Sequence, residues 1–568
     1  MKKQLLILTL FAIIGWSNSA TAQSPSWIWA KSASATEHDG GTSVATDASG
    51  NVYVTGSFNS PTITFGTTTL TNAGGNDIFI VKYDANGNVL WAMSAGGAGD
   101  ERGNSVSTDS GGNVFMTGFF DSPAITFGTT ILPNAGGFYP YDIFIVKYDA
   151  GGNVLWAKRA GGSYPDQGNS VSTDTSGNVI MTGYFASTTI TFGTITLTNL
   201  SGPSTIGPSD IFIVKYDENG NVLWATNGGS PSDEQGNSVS TDAGGNVFIT
   251  GWFSGPDIIF GTDTLYNSGN LTFYNYDIYI VKYDANGNVL WAKSAGGTDS
   301  DNSNRVSTDA IGNVFMTGYF DSPAISFGTT TLTNAGLRDI FIVKYDAGGN
   351  VLWVKSAGGA YIDNGTSVST DASGNVFITG YFDSPTITFG TTTLTRNGLF
   401  SDIYIVKYDA GGNVLWAKSA GGIDIDGGNS LSTDAGGNVF ITGYFHSPSI
   451  TFGTTTLINS GAPGTTYDIF IAKLDTVVVA GIASNQSSNG ISVFPNPAKN
   501  VLTISYPLLT HEDLTITITD ITGKIIYKTI ATATQKIEVN TSDFAEGVYL
   551  VQIQTEKFIE TKKVIVTK

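Results

Sequence analysis

In Asp77-Ile-Phe-Ile-Val-Lys-Tyr-Asp84 the apolar residues Ile78, Phe79, Ile80 and Val81 follow one another without alternation. A strand with one face in water alternates with a period of two, so a continuous run of β-branched and aromatic side chains reads as a strand covered on both faces. The run recurs from Asp142, Asp210, Asp277, Asp339, Asp402 and Asp468. Helices could cover both faces, but no helical periodicity separates the copies. Small antiparallel sheets packed face to face cover them instead, which is the arrangement of a β-propeller.

Working outward, a second run of the type Asn113-Val-Phe-Met-Thr-Gly118 begins at Asn51, Asn113, Asn178, Asn246, Asn313, Asn375 and Asn438. A Thr-Phe-Gly-Thr segment separates it from the first run. An Asn-Val-Leu-Trp strand follows, with Trp91, Trp156, Trp224, Trp291, Trp353 and Trp416 spaced 62 to 68 residues apart. Turns such as Asp47–Asn51 and Asp84–Asn88 place Gly where a hairpin needs positive φ and Asp where a local acceptor is needed. The seventh unit ends at Asp475 without its Trp strand, while Trp27-Ile28-Trp29-Ala30-Lys31 stands without a unit at the other end. The expected fold is therefore all-β: a seven-bladed β-propeller over 23–475, closed by pairing of Trp27–Lys31 with Asp468–Asp475. An open solenoid would show atypical capping repeats at both ends rather than two complementary fragments.

Composition narrows the chemistry. The chain has 568 residues, 71 of them Gly, and no Cys, which excludes disulfides, thiolate metal sites and a Cys nucleophile. His38, His446 and His511 are the three histidines, too few for ordinary imidazole-based metal or acid–base sites. Lys2 and Lys3, the apolar run Leu5–Trp16 and Ala20-Thr21-Ala22 read as a signal peptide over 1–22. No other stretch reaches membrane-spanning length. Eight Lys balance eight Asp and Glu from Ile491 onward, and the two leading Lys stand alone, leaving −22 on residues 23–490. That charge argues against nucleic acid as a partner.

The repeat unit, with Thr108-Asp-Ser-Gly-Gly-Asn-Val-Phe-Met-Thr-Gly118 and the Asp-Ile-Phe-Ile-Val-Lys-Tyr strand, resembles the bacterial SBBP propeller repeats and more loosely the NHL type. After a polar linker over 476–490, Ile491-Ser-Val-Phe-Pro-Asn-Pro-Ala498 opens a different β segment, continued by Asp520-Ile-Thr-Gly-Lys524 and Gly547-Val-Tyr-Leu-Val-Gln. Residues 491–568 resemble the type A C-terminal sorting domain of the type IX secretion system of Bacteroidetes. The resemblance implies a small β-sandwich that engages the secretion machinery, passage through the outer membrane, and release or cell-surface attachment. Its residues alone say only a small antiparallel sandwich, which an Ig-like adhesive module would also satisfy.

Candidate sites are few. The Asp of each Thr-Asp turn (Asp47, Asp109, Asp174, Asp242, Asp309, Asp371 and Asp434) and the Lys of each third strand, such as Lys82 and Lys473, recur too regularly for anything but turn and inter-strand partners. A carboxylate also opens each inner strand: Asp39, Glu101, Asp166, Glu234, Asp301, Asp363 and Asp426. At a channel mouth these would make an anionic ring able to hold Ca²⁺, whereas turn acceptors would look the same in sequence. No other cofactor site can be assembled, and no catalytic residue. His446 stands where other blades carry Asp121, Asp321 and Asp383. The most variable stretches, Pro133–Tyr141, Asn199–Ser209, Tyr266–Tyr276 and Ile458–Tyr467, combine Tyr, Phe, Asn, Gly and Pro, a composition suited to binding and equally open to drift. The expected role is a secreted or surface propeller that recognises glycan or protein through its loops. The alternative is a polysaccharide-acting hydrolase or lyase using two carboxylates that nothing in the repeat singles out.

Overall fold

A computed structural model describes residues 25–475 except 34–35, 138–139, 201–207, 270–274 and 462–463. It also describes 492–567 except 506–513, 521–522, 532–535 and 555–558. The expected signal peptide and linker lie outside the described residues, as do parts of the four variable loops. The chain divides into two compact units, 25–477 and the part from 478 onward.

Within the first unit lie seven four-stranded antiparallel sheets, here blades 1 to 7 in order of their inner strands. Blade 1 runs from the inner strand Asp39–Thr46 through Val52–Phe58 and Asp77–Tyr83 to the outer strand Val89–Ala95. Every residue of Asp77–Tyr83 is buried, as are those of its counterparts Asp142–Tyr148, Asp210–Tyr216, Asp277–Tyr283, Asp339–Tyr345 and Asp402–Tyr408. The unbroken apolar run thus has the cause read from it: each blade is covered by its two neighbours. The Thr-Phe-Gly-Thr segment forms a separate two-stranded hairpin in each blade, such as Thr62–Phe65 with Thr68–Thr71, which sends Ile63, Phe65 and Leu70 into the core.

Blade 7 is a composite. Ser26–Ser32 pairs antiparallel with Asp468–Asp475, Ser26 opposite Asp475 and Ser32 opposite Phe470, and supplies the outer strand. Trp29 then packs against Phe440 of the same blade and Tyr83 of blade 1, and its indole N–H donates to the Ala85 carbonyl at 3.2 Å. The same bond joins Trp91 to Ala150, Trp156 to Glu218, Trp224 to Ala285, Trp291 to Ala347 and Trp353 to Ala410. Each of these six Trp therefore ties its blade to the next hairpin.

Two belts of hydrogen bonds run around the inner strands. Thr46, Thr108, Thr173, Thr241, Thr308, Thr370 and Thr433 each donate an Oγ1–H to the carbonyl of the preceding member, and Thr46 donates to Thr433. The second belt runs forward, for instance from Asn104 to the Gly168 carbonyl and from Asn429 to the Gly41 carbonyl. Both cross from blade 7 to blade 1, so the ring is closed by side chains as well as by the split blade.

The second unit is a sandwich of a three-stranded sheet (Ser492–Phe494, Val501–Ser505, Lys536–Asn540) and a four-stranded one (Leu514–Asp520, Ile525–Ala531, Gly547–Gln554, Ile559–Val566). Alternating side chains such as Leu502, Ile504, Ile516, Ile518, Val551 and Val564 make its core. The Phe-Pro-Asn-Pro opening is anchored through Asn496, whose side chain donates to the Lys563 carbonyl and accepts from the Ile565 amide.

Candidate functional site at the channel mouth

The recurrent polar residues sort into scaffold first. In each Thr-Asp turn the Asp Oδ1 accepts the amide and Oδ2 the side chain of the Asn four residues on, and Asp47 Oδ1 accepts the Ser49 amide as well. Gly50 sits there at φ +78°, a conformation side chains resist. The buried third-strand lysines donate to carbonyls of the following hairpin, Lys82 to Ala150 at 2.9 Å, and Lys215 reaches Asp174 at 2.9 Å.

The seven inner-strand carboxylates are also engaged by the scaffold. Asp39, Glu101, Asp166, Glu234, Asp301, Asp363 and Asp426 are at most 2 % exposed. Both oxygens of each are taken by donors. Asp301 accepts the Asp321 and Ser322 amides and the Ser322 hydroxyl, and Asp166 accepts from Gly162 and twice from Ser187. Glu234 takes the Ser230 amide and hydroxyl, while Asp39 is held by Asn59 and twice by Ser60. The ring exists as an arrangement, but its oxygens face donors at the blade edges instead of standing open for a cation. Among the described residues no three His, Asp or Glu side chains are grouped to hold a metal ion. Burial raises these acids: Asp39, Asp166 and Asp301 are pushed up to about 7, against which the serine hydrogen bonds act.

A second buried set lies beside them. Asp77, Asp142, Asp210, Asp277, Asp339, Asp402 and Asp468 open the third strands, each with Oδ2 on a loop amide and Oδ1 without a hydrogen-bond partner among the described residues. Desolvation raises them as well, Asp210 and Asp402 to about 7.

What breaks the symmetry is found one residue inward from the carboxylates. Gly40, Arg102, Gln167, Gln235, Asn302, Asn364 and Gly427 pair in register with Ser57, Phe119, Tyr184, Trp252, Tyr319, Tyr381 and Tyr444. Six blades thus carry an aromatic residue at a half-buried position beside the inner strand, and blade 1 carries Ser57. The variable loops end next to this tier. The carbonyls of Tyr141, Tyr276 and Tyr467 accept the amides of Asp166, Asp301 and Asp39. Their rings extend the tier: Tyr141 stacks edge-on against Phe119 at 4.9 Å, Tyr276 lies 4.2 Å from Trp252, and Tyr467 meets Tyr444 at 5.2 Å. Arg338 lies over Tyr319 at 3.6 Å while its guanidinium holds both oxygens of Asp321.

Where the aromatic is missing, a cavity of about 380 Å³ opens between blades 7, 1 and 2. Gly40 and Ser57 leave the room, Tyr444 and Tyr467 form one wall, Arg102 and Asn429 supply donors, and the Thr42 hydroxyl, which donates to the Gly103 carbonyl, supplies an acceptor. His38 stacks on Tyr467 at 5.0 Å. The His446 ring lies 4.8 Å from the same Tyr467 ring, its Nδ1 3.1 Å from Asp424. Asp39 is the one carboxyl among the lining residues. Cavities of 290 to 440 Å³ also open between outer strands and hairpins, at Gly128, Gly66 and Gly328, and they repeat from blade to blade as scaffold features do.

The aromatic tier, Ser57 and Arg102 are legible in the sequence as the residue before the closing Phe of each Thr-Gly-x-Phe strand and its partner across the turn. A search for what recurs passes over them, because their information lies in the one unit that differs.

Residues 492–567 match the family described as the secretion system C-terminal sorting domain. The chain is 28% identical over 534 residues to an uncharacterized WD repeat-containing protein, L264, of Acanthamoeba polyphaga mimivirus, covering 78% of this chain and 38% of that protein. It is 22% identical over 321 residues to the regulatory protein FlaEY of Caulobacter vibrioides, covering 52% and 33%. The chain therefore spans little more than a third of the length of these relatives. A puromycin hydrolase structure is similar at 10% identity over 82% of this chain and 58% of that one, with a TM-score of 0.35. The chain is a β-propeller repeat protein carrying a type IX secretion sorting domain, which implies an extracellular or cell-surface location.

Proposed function

We propose that this exported propeller binds a glycan at the channel mouth, with the aromatic tier as the stacking surface. The tier itself carries the reading: Phe119, Tyr184, Trp252, Tyr319, Tyr381 and Tyr444 occupy one register position beside the inner strands, half-buried where the buried scaffold would hide them. Amphipathic rings next to Asn and Gln side chains make the mixed surface that a sugar, with apolar C–H faces and hydroxyl edges, requires. The sorting domain at 492–567 supports an extracellular ligand over a cytoplasmic one.

A glycan array probed with the full chain tests this, followed by titration of the best hit into Trp252→Ala and Tyr444→Ala. Both variants are expected to lose about tenfold in affinity or more at an unchanged melting temperature, because an aromatic anchor in a binding site is worth at least ~1.4 kcal/mol. An array without hits, or hits bound equally by both variants, overturns the reading.

A further inference from the structure

Two inner-strand positions break the sevenfold repeat with a positive charge, and both concern the channel. The first is Arg102, where the other blades carry Gly, Gln or Asn. The second is Arg305, where the other six carry serine. Those serines form a third tier, each accepting the amide of the next blade, as Ser43 does from Val106 and Ser430 from Val44. Arg305 interrupts that tier, and its Nη2 donates to the Ser430 hydroxyl of blade 7 at 3.2 Å. Ser430 directly follows Asn429, which lines the cavity that Arg102 enters. Arg305 of blade 5 thus contacts the residue next to one that lines the cavity of Arg102. Among the described residues neither is in an ion pair, although Arg159 and Arg338 are each paired with an aspartate. Arg102 is exposed on the channel side, while burial lowers Arg305 to about 10.

Resting on the glycan reading above, we infer that the cavity at Arg102 takes the carboxylate of an acidic sugar. Arg102 lines the recess beside two aromatic rings with no ion pair among the described residues, and the planar fork of Arg matches a carboxylate with two parallel hydrogen bonds. Asn429 and Thr42 flank the fork for hydroxyls, and Tyr444 and Tyr467 give the ring face. The surrounding charge selects among anions. Residues 23–490 carry −22, which repels a densely sulfated chain over its whole length, whereas one carboxylate placed well within a Debye length of ~8 Å of Arg102 meets mainly its charge. The ligand is thus a glycan with a single uronate- or sialate-type unit at the contact.

The test is an array of matched neutral, carboxylated and sulfated glycans probed with the full chain, with R102Q and with R305S. Glutamine is what blades 3 and 4 carry at Gln167 and Gln235, and serine is the residue of the other six blades, so both variants are expected to fold, with melting temperature as the check. Carboxylated hits should bind about tenfold or more tighter than their carboxyl-reduced counterparts, the scale of a charge-assisted hydrogen-bond pair, and R102Q should abolish that preference. R305S should reduce it by a smaller factor, while an unchanged preference removes Arg305 from the site. Neutral hits bound equally well, sulfated hits alone, or an acidic preference that survives in R102Q overturn the inference and leave the glycan reading standing. No hits in any class overturn both.

Discussion

Asp301 shows at the scale of one residue how a recurring acid is committed to the scaffold. Its carboxyl accepts two amides and a hydroxyl from the turn that ends in Ser322, and it is wholly buried. Asp301→Ala would strand those three donors, and a loss of about 2–4 kcal/mol is expected from urea unfolding, since each buried unsatisfied group costs ~1–3 kcal/mol with partial relaxation. A loss under ~0.5 kcal/mol would mean that the turn has other partners. The same saturation bears on calcium. A bound Ca²⁺ needs six to eight oxygens, and these carboxylates are already committed to donors. Millimolar Ca²⁺ is expected to leave the melting temperature unmoved, and a rise of several degrees would show that the carboxylates can be recruited. The buried acids also set a pH dependence. Their folded pKa values, about 6 to 7 at Asp39, Asp142, Asp166, Asp210, Asp277, Asp301, Asp339, Asp402, Asp426 and Asp468, lie above the unfolded value. The folded state binds the extra protons, so their contribution is present below about pH 4 and is lost as pH rises through 6 to 7. The exposed turn acids with lowered pKa values, such as Asp84 and Asp284, lose their contribution only at lower pH, outside this window. The melting temperature should therefore fall between pH 5 and pH 8, and a rise over that range would contradict the assignment.

At the scale of an element, the strand Ser26–Ser32 has the largest consequence. It supplies one edge of blade 7, the indole bond to Ala85 and the Trp29 contacts to Phe440 and Tyr83. Without it Asp468–Asp475 becomes an unpaired edge, with its row of amides and carbonyls open to other chains. Deletion of 26–32 is expected to lower the melting temperature far more than trimming an ordinary terminus and to promote association, read by thermal melting and light scattering. A melt like that of the full chain would separate ring closure from this strand. Trp29→Ala isolates the packing component and is expected to cost about 3 kcal/mol, toward the lower end of buried Trp losses because the ring keeps some exposure.

The whole molecule adds a field and a contrast. The excess negative charge on 23–490 repels itself in the compact ring, so raising NaCl from 20 to 200 mM at pH 7.5 should raise the melting temperature by a few degrees as screening shortens the interaction. A fall would locate net attractive charge pairs that salt disrupts.

Much of the fold was readable because propeller blades are built from local, repeated instructions. The continuous apolar run of Asp77–Tyr83 demands cover on both faces, Gly50 and Asp47 demand a turn, and the orphan Trp27–Lys31 matches the outer strand missing after Asp475. Those demands follow from neighbouring residues along one chain and need no knowledge of what lies across the ring. The site needed the tertiary structure. Whether a carboxylate such as Asp166 points at a channel or at Ser187 depends on the twist of its blade and on a turn 21 residues away. That Arg305 reaches Ser430, 125 residues on, depends on the ring bringing blades 5 and 7 around one channel. The sequence alone determined a closed ring of like blades and a sorting tail. Only the tertiary structure decided which of the repeated acids are buried and which unrepeated residues, Ser57 and Arg102, line one cavity at the mouth. The reason is that contacts across a channel are fixed by closure geometry rather than by spacing along the chain.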